Sequence, residues 1–121
     1  MPRSPEASRF LPLKPKTFHV LLALDEAPLH GYAIRTSVAG RTRGAIELEP
    51  GGLYRLIARL EADGLIAPSD APTDPDSDDP RRRYYQLTEL GHDVLAEEAC
   101  RLTELARTPE VAALAASRRS S

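Results

Sequence analysis

Tryptophan is absent from the 121 residues, cysteine and methionine occur once each, and aromatics make up 5%. One cysteine, Cys100, excludes an internal disulfide and a cysteine zinc cluster, and it fits a reducing, cytoplasmic compartment. With so few aromatics, the core has to be built from Leu, Ala, Val and Ile. No apolar run approaches the roughly 20 residues that a bilayer span requires, so no membrane partner is expected. The first nine residues have no apolar signal core. Also missing are a phosphate-binding glycine-rich loop, a nucleophile elbow and a metal-ligand pair. Asp76, Asp78 and Asp79 look like part of a calcium loop, but the glycine and closing glutamate are not at the required spacing. The expectation is no enzyme, no catalytic residue, no metal and no cofactor.

An excess of positive charge is missing too: the formal net charge is −2. Taken whole, that argues against nucleic acid, since such domains are usually basic. Its distribution argues otherwise. Asp70, Asp74, Asp76, Asp78 and Asp79 cluster in residues 67–80 without a Lys or Arg. Setting these five aside leaves 16 basic against 13 acidic residues. The length allows one domain and not two ordinary ones.

What is present is an ordered series of elements, mainly α with a small β-hairpin. Residues 1–14 read as a flexible basic arm: Pro2, Pro5 and Pro12 interrupt any helix, leaving either a frayed tail or a segment that packs on a partner subunit. A first helix over 15–25 opens at Pro15, a favourable first helical position, with Phe18, Leu21, Leu22 and Leu24 at helical spacing. A second runs over 30–39, with His30 capping its start and Gly40 placed to end it. Ile46-Glu47-Leu48 alternates as a very short strand would. A third helix over 50–63 has Leu53, Leu56, Ile57 and Leu60 on one stripe and Arg55 and Arg59 together on another face. Residues 65–67 and 83–87 read as a strand pair, joined by a Pro-, Asp- and Ser-rich tip. A fourth helix starts after Thr88, a good N-cap, and continues to about Arg107. Thr108-Pro109 breaks it, and a short last helix ends near Leu114. The expected organisation is an arm at 1–14, a helix-and-hairpin domain at 15–87, a long separate helix at 88–107, and a short helix and tail at 108–121.

Four motifs occur in this order: a leucine-rich first helix; His30-Gly31-Tyr32; Gly52-Leu53-Tyr54 leading to Glu61-Ala62-Asp63-Gly64-Leu65-Ile66; and Tyr84-Tyr85-Gln86-Leu87-Thr88-Glu89-Leu90-Gly91 after a basic run. In these residues the chain, over roughly 16–107, resembles the PadR family of transcriptional regulators. The resemblance implies a winged helix-turn-helix in which the third helix enters the major groove and the hairpin is a wing on the flanking backbone. It also implies that the fourth helix pairs two subunits, and a dimeric repressor released by a small molecule or other signal. Three features depart from the family pattern. Gly52 stands where Ser or Thr is usual, Glu49 at the N-cap opposes a nearby phosphate, and the wing tip is acidic.

On that reading, Arg55 and Arg59 are candidates to fork to guanine or clamp phosphate; as ordinary solvated arginines they would pair with nearby acids. Tyr54 offers a hydroxyl to phosphate or base, or is a core-edge tyrosine. Gly52 offers a bare backbone N–H. Arg81, Arg82 and Arg83 lie near phosphates, neutralise the acidic tip, or do both. Lys14 and Lys16 are further phosphate contacts. Tyr32 is expected to pack between the first two helices, Cys100 to be a packed small hydrophobe, and Gly91 to allow close approach of the fourth helix. Leu95, Leu102 and Leu105 form an apolar stripe longer than one small domain needs, and are expected at a homodimer interface. The expected partners are double-stranded DNA, a second copy of the chain and an unidentified small-molecule effector. A winged-helix protein-interaction module with weak or no DNA binding is the alternative.

Overall fold

The computed structural model describes residues 5–70 and 82–120. In chain order the elements are α1 (Pro5–Ser8), α2 (Pro15–Glu26), β1 (Leu29–His30), α3 (Gly31–Arg41), α4 (Pro50–Ala62), β2 (Ile66–Ser69), β3 (Tyr84–Leu87), α5 (Glu89–Arg107) and α6 (Pro109–Arg119). Prolines open α2, α4 and α6 in the first turn, where a missing N–H breaks no helical hydrogen bond.

The core is aliphatic. Val20, Leu21 and Leu24 of α2, Ile34 and Val38 of α3, Leu53, Ile57 and Leu60 of α4, and Val94 and Leu95 of α5 are all buried together. Within each helix they are one, three, four or seven residues apart, so each element contributes one face. The strands form a three-stranded antiparallel sheet in the order β1-β3-β2. Tyr85 of β3 is the partner of Leu29 on one side and of Pro68 on the other. Pro68 is tolerated because β2 lies at a sheet edge.

Two junctions hold the helices at defined angles. At the end of α4, Gly64 adopts φ 79°. The Leu65 N–H reaches Leu60 O at 2.9 Å and the Gly64 N–H reaches Glu61 O at 3.0 Å. This left-handed glycine cap leaves both Leu60 and Leu65 buried in the core. At the start of α5, Thr88 Oγ1 accepts the Gly91 N–H at 3.0 Å and donates to Gly64 O at 2.6 Å. One hydroxyl thus caps α5 and ties it to the end of α4.

Several expectations are corrected. The arm is not wholly loose, because residues 5–13 pack on their own chain: Ala7 is fully buried, and Phe10, Leu11 and Leu13 lie against the core. Gly40 does not end α3; it stays helical, and the turn falls at Arg43 (φ 53°) and Gly44 (φ 80°). Ile46–Leu48 is not a strand. The Ile46 N–H donates to Thr42 Oγ1 at 3.1 Å, and Leu48 O accepts from Arg35 Nε at 2.7 Å, so its polar groups are used against α3. The third strand is instead Leu29–His30. Helix α6 runs to Arg119 and has no buried residue.

Candidate nucleic-acid interface

Helix α4 turns Leu53, Ile57 and Leu60 inward, which leaves Tyr54, Arg55 and Arg59 on the outer face. Tyr54 is 57% exposed. The Arg55 guanidinium folds back over the first turn: a Cβ on Gly51 would lie 3.4 Å from one of its terminal nitrogens, and one on Gly52 would lie 3.9 Å from the other, both ordinary contact distances.

The α4 surface is flanked on two sides. On one, a cleft of about 630 Å³ separates α4 from the start of α2, and Lys14, Lys16, Arg55 and Arg59 line it. Glu47 and Glu49 share this cleft. On the other side lies a pocket of about 320 Å³ where Tyr54, Arg82 and Arg83 meet His30 and Tyr32. Cations thus stand on both sides of one exposed helix, placed there by three separate parts of the chain. Of the residues singled out by sequence, the first cleft gathers Lys14, Lys16, Gly52, Arg55 and Arg59, and the second gathers Tyr54, Arg82 and Arg83. Arg81 lies outside the described residues.

His30 caps α3 as its position in the sequence predicts: Nδ1 accepts the Ala33 N–H at 3.2 Å. Its proximity to Arg82, with Nε2 at 3.2 Å from a guanidinium nitrogen, is visible only in the fold. Tyr84 meets the imidazole edge-on at 5.2 Å between centroids, and Tyr32 stacks at 6.5 Å. Tyr32 does not pack between helices as expected; it is 66% exposed. Burial, reinforced by Glu61, pushes the Tyr85 phenol above its ordinary value, which suits its role in the core.

The expected subunit surface divides. Leu95 is 5% exposed and belongs to the core of its own chain, where α5 packs on α1 and α2. Leu102 and Leu105 are exposed, and Val111 and Leu114 of α6 extend the same kind of surface. Cys100 is exposed rather than packed, with its thiol 3.7 Å from Glu104 Oε1. Among the described residues, no group of His, Cys, Asp or Glu could hold a metal ion, and no helix is long and apolar enough to cross a membrane.

Three helices, a small sheet whose β2 and β3 form the wing, and an outward-facing third core helix define a winged helix-turn-helix protein. Residues 20–97 match the Transcriptional regulator PadR-like family. The chain belongs to that family. It is 33% identical over 89 residues to Transcriptional regulator Rv3488 of Mycobacterium tuberculosis, covering 74% of this chain and 77% of the relative. It is 37% identical over 86 residues to an uncharacterized 37.1 kDa protein in transposon TN4556 of Streptomyces fradiae; the match covers 71% of this chain but spans only 22% of that protein. Among solved structures, a PadR-like transcription factor of Bacteroides fragilis is similar at a TM-score of 0.59 and 27% identity, covering 74% of this chain and 81% of that one.

Proposed function

We propose that this PadR-family regulator binds double-stranded DNA sequence-specifically as a cytoplasmic homodimer, and acts as a repressor released by a small molecule or other cellular signal. The observation that carries the reading is the outward face of α4, with Arg55 and Arg59 exposed, Lys14 and Lys16 on one side, and Arg82 and Arg83 on the other. A helix of this kind fits the major groove, where arginine forks to guanine O6 and N7. The flanking cations then meet the backbone on either side. Two such helices, held by the exposed apolar residues of α5 and α6, read half-sites about 34 Å apart. Repression follows by occlusion of the operator, and release follows when a signal changes the separation of the two α4 helices.

A second reading, a protein-interaction module, is favoured by Glu47 and Glu49 in the cationic cleft and by the net charge of −2. One experiment decides. The chain is used to select duplexes from a random pool, and affinity for the winner is measured at several salt concentrations. DNA binding requires a selected consensus, a steep salt dependence, and a loss on Arg55→Ala of about tenfold or more. Absence of any selected sequence, with weak binding at low salt, places the interaction module ahead.

A further inference from the structure

Lys14 and Lys16 line the cleft beside Arg55 and Arg59, yet little in their own turn of helix holds them there. Both are exposed. Lys14 is the N-cap of α2 and makes no side-chain cap hydrogen bond, and the first buried residue of that helix is Val20. A first turn with neither a cap nor a buried side chain is prone to fray.

The backbone is held from behind instead. Leu13, the residue before Lys14, donates its N–H to Glu98 Oε2 at 2.6 Å. On the other side, Lys14 O accepts the Phe18 N–H at 2.9 Å. Between these two bonds the chain enters α2 in one direction. Glu98 is a firm support: it is 1% exposed, and the Arg101 guanidinium donates to both of its oxygens. A forked arginine fixes the orientation of a carboxylate as well as meeting its charge. The segment ahead of Leu13 is seated too, with Ala7 fully buried and Phe10 and Leu11 against the core. Glu98 lines neither of the two cationic pockets, so its effect on a ligand of the α4 face has to pass through the chain it holds.

We propose that Glu98 is a positioning residue for DNA binding: braced by Arg101, it holds the Leu13 N–H and so sets Lys14 and Lys16 beside α4 before the duplex arrives. The inference rests on the DNA-binding reading above and gives a buried acid of α5 a role in affinity. Fixing the backbone in advance removes an ordering cost that a loose segment meets on binding. Charge alone predicts the opposite sign. Removing the carboxylate leaves Arg101 without its partner and the chain more cationic, which favours DNA; loss of position disfavours it.

The test uses the full chain and its selected duplex. Affinity is measured against salt for the wild type, Glu98→Ala, Glu98→Asp and Glu98→Gln, each alone and in a Lys14→Ala/Lys16→Ala background. Glu98→Ala is expected to bind about fivefold more weakly, with a salt slope shallower by up to about two, one for each lysine. Glu98→Asp keeps the charge but is one carbon short of Leu13. It is expected to shift affinity the same way, and it carries the test if Glu98→Ala folds poorly. Glu98→Gln keeps an acceptor for the Leu13 N–H and is expected to restore most of the wild-type affinity and slope. With both lysines replaced, none of the three changes is expected to matter further. The proposal is overturned if Glu98→Ala and Glu98→Asp bind as the wild type does, or more tightly. It is also overturned if their loss is the same size in both backgrounds, which is the mark of a general loss of fold or of subunit pairing. Failure of the DNA-binding reading itself is separately visible, as a wild type that selects no sequence.

Discussion

Glu98 and Leu13 are joined across the fold: the Leu13 N–H donates to Glu98 Oε2 at 2.6 Å. Glu98 is 1% exposed, and Arg101, one turn further along α5, donates to both of its carboxylate oxygens. A buried carboxylate is tolerated only when its charge is met by donors, and here a backbone N–H and a forked guanidinium meet it. The bond fixes the end of the N-terminal segment on α5, one residue before Lys14. Ser8 adds a weaker link, its hydroxyl 3.4 Å from Glu97 Oε2.

Removing this anchor is expected to destabilise the chain without exposing a charge, because Arg101 already reaches solvent. Glu98→Ala leaves the Leu13 N–H without its acceptor and opens a small void. The expected loss is about 2 kcal/mol, read as a lower urea midpoint with faster proteolysis before Lys14. An unchanged midpoint would mean that the 5–13 segment contributes nothing to stability.

The same group gives stability a defined pH dependence. Hydrogen bonding from Arg101 outweighs burial and, with the Leu13 N–H, holds the Glu98 carboxyl below its ordinary value. The unfolded chain therefore takes up the proton at a higher pH than the folded chain. The contribution of Glu98 is complete above the ordinary glutamate range and is lost as pH falls through that range toward the lowered folded value. Thermal melts between pH 7 and 3 are expected to show a steeper acid loss for the wild type than for Glu98→Gln. Parallel curves for the two proteins would contradict this.

Two glycines in helices should respond in opposite directions. A Cβ on Gly91 would stand 1.9 Å from Leu65 O, a backbone atom held by the Thr88 N–H at 3.1 Å. Gly91→Ala is expected to cost more than about 3 kcal/mol, because α5 must lift away from the start of β2. Gly40 has nothing within 4 Å of its Cβ position and ordinary helical geometry. Gly40→Ala is expected to stabilise by about 0.5–1 kcal/mol. Denaturant unfolding of the two variants separates a glycine that makes room from one that does not.

The proposed dimer makes a prediction about α5. Leu105 is 47% exposed in the isolated chain, and Leu105→Asp is expected to shift the protein from dimer to monomer in sedimentation while helical circular dichroism persists. The effect on operator binding should be larger than that of any single phosphate contact, since both half-sites are lost together. A variant that stays dimeric would move the subunit surface elsewhere. Leu95→Ala, by contrast, is expected to act on stability, by about 2–4 kcal/mol, because that side chain fills its own core.

Local signals in the sequence translated into structure where partners lie close along the chain. Thr88 caps α5, His30 caps α3, and the stripe at Leu53, Ile57 and Leu60 faces inward, all within one or two helical turns. Misreadings arose where a distant partner decides. Leu29–His30 is a strand only because Tyr84 and Tyr85 arrive beside it; two residues carry no period of their own. The reading of Gly40 failed locally instead: Thr42 closes the turn beyond it by bonding Val38 O and the Ile46 N–H, each four residues away. Leu95 and Leu102 lie on nearly the same side of a helical wheel, and only the packing of α1 and α2 on α5 separates core from surface.

The amino-acid sequence by itself determined the order of helices and hairpin, the aliphatic character of the core and the family motifs, because periodicity, caps and glycine positions act over a few residues. Only the tertiary structure decided which cations share a cleft, that residues 5–13 lie on α5, and that His30 meets Arg82. Those relationships join residues 52 and 85 positions apart, and such distances close only when the hydrophobic core brings the elements together.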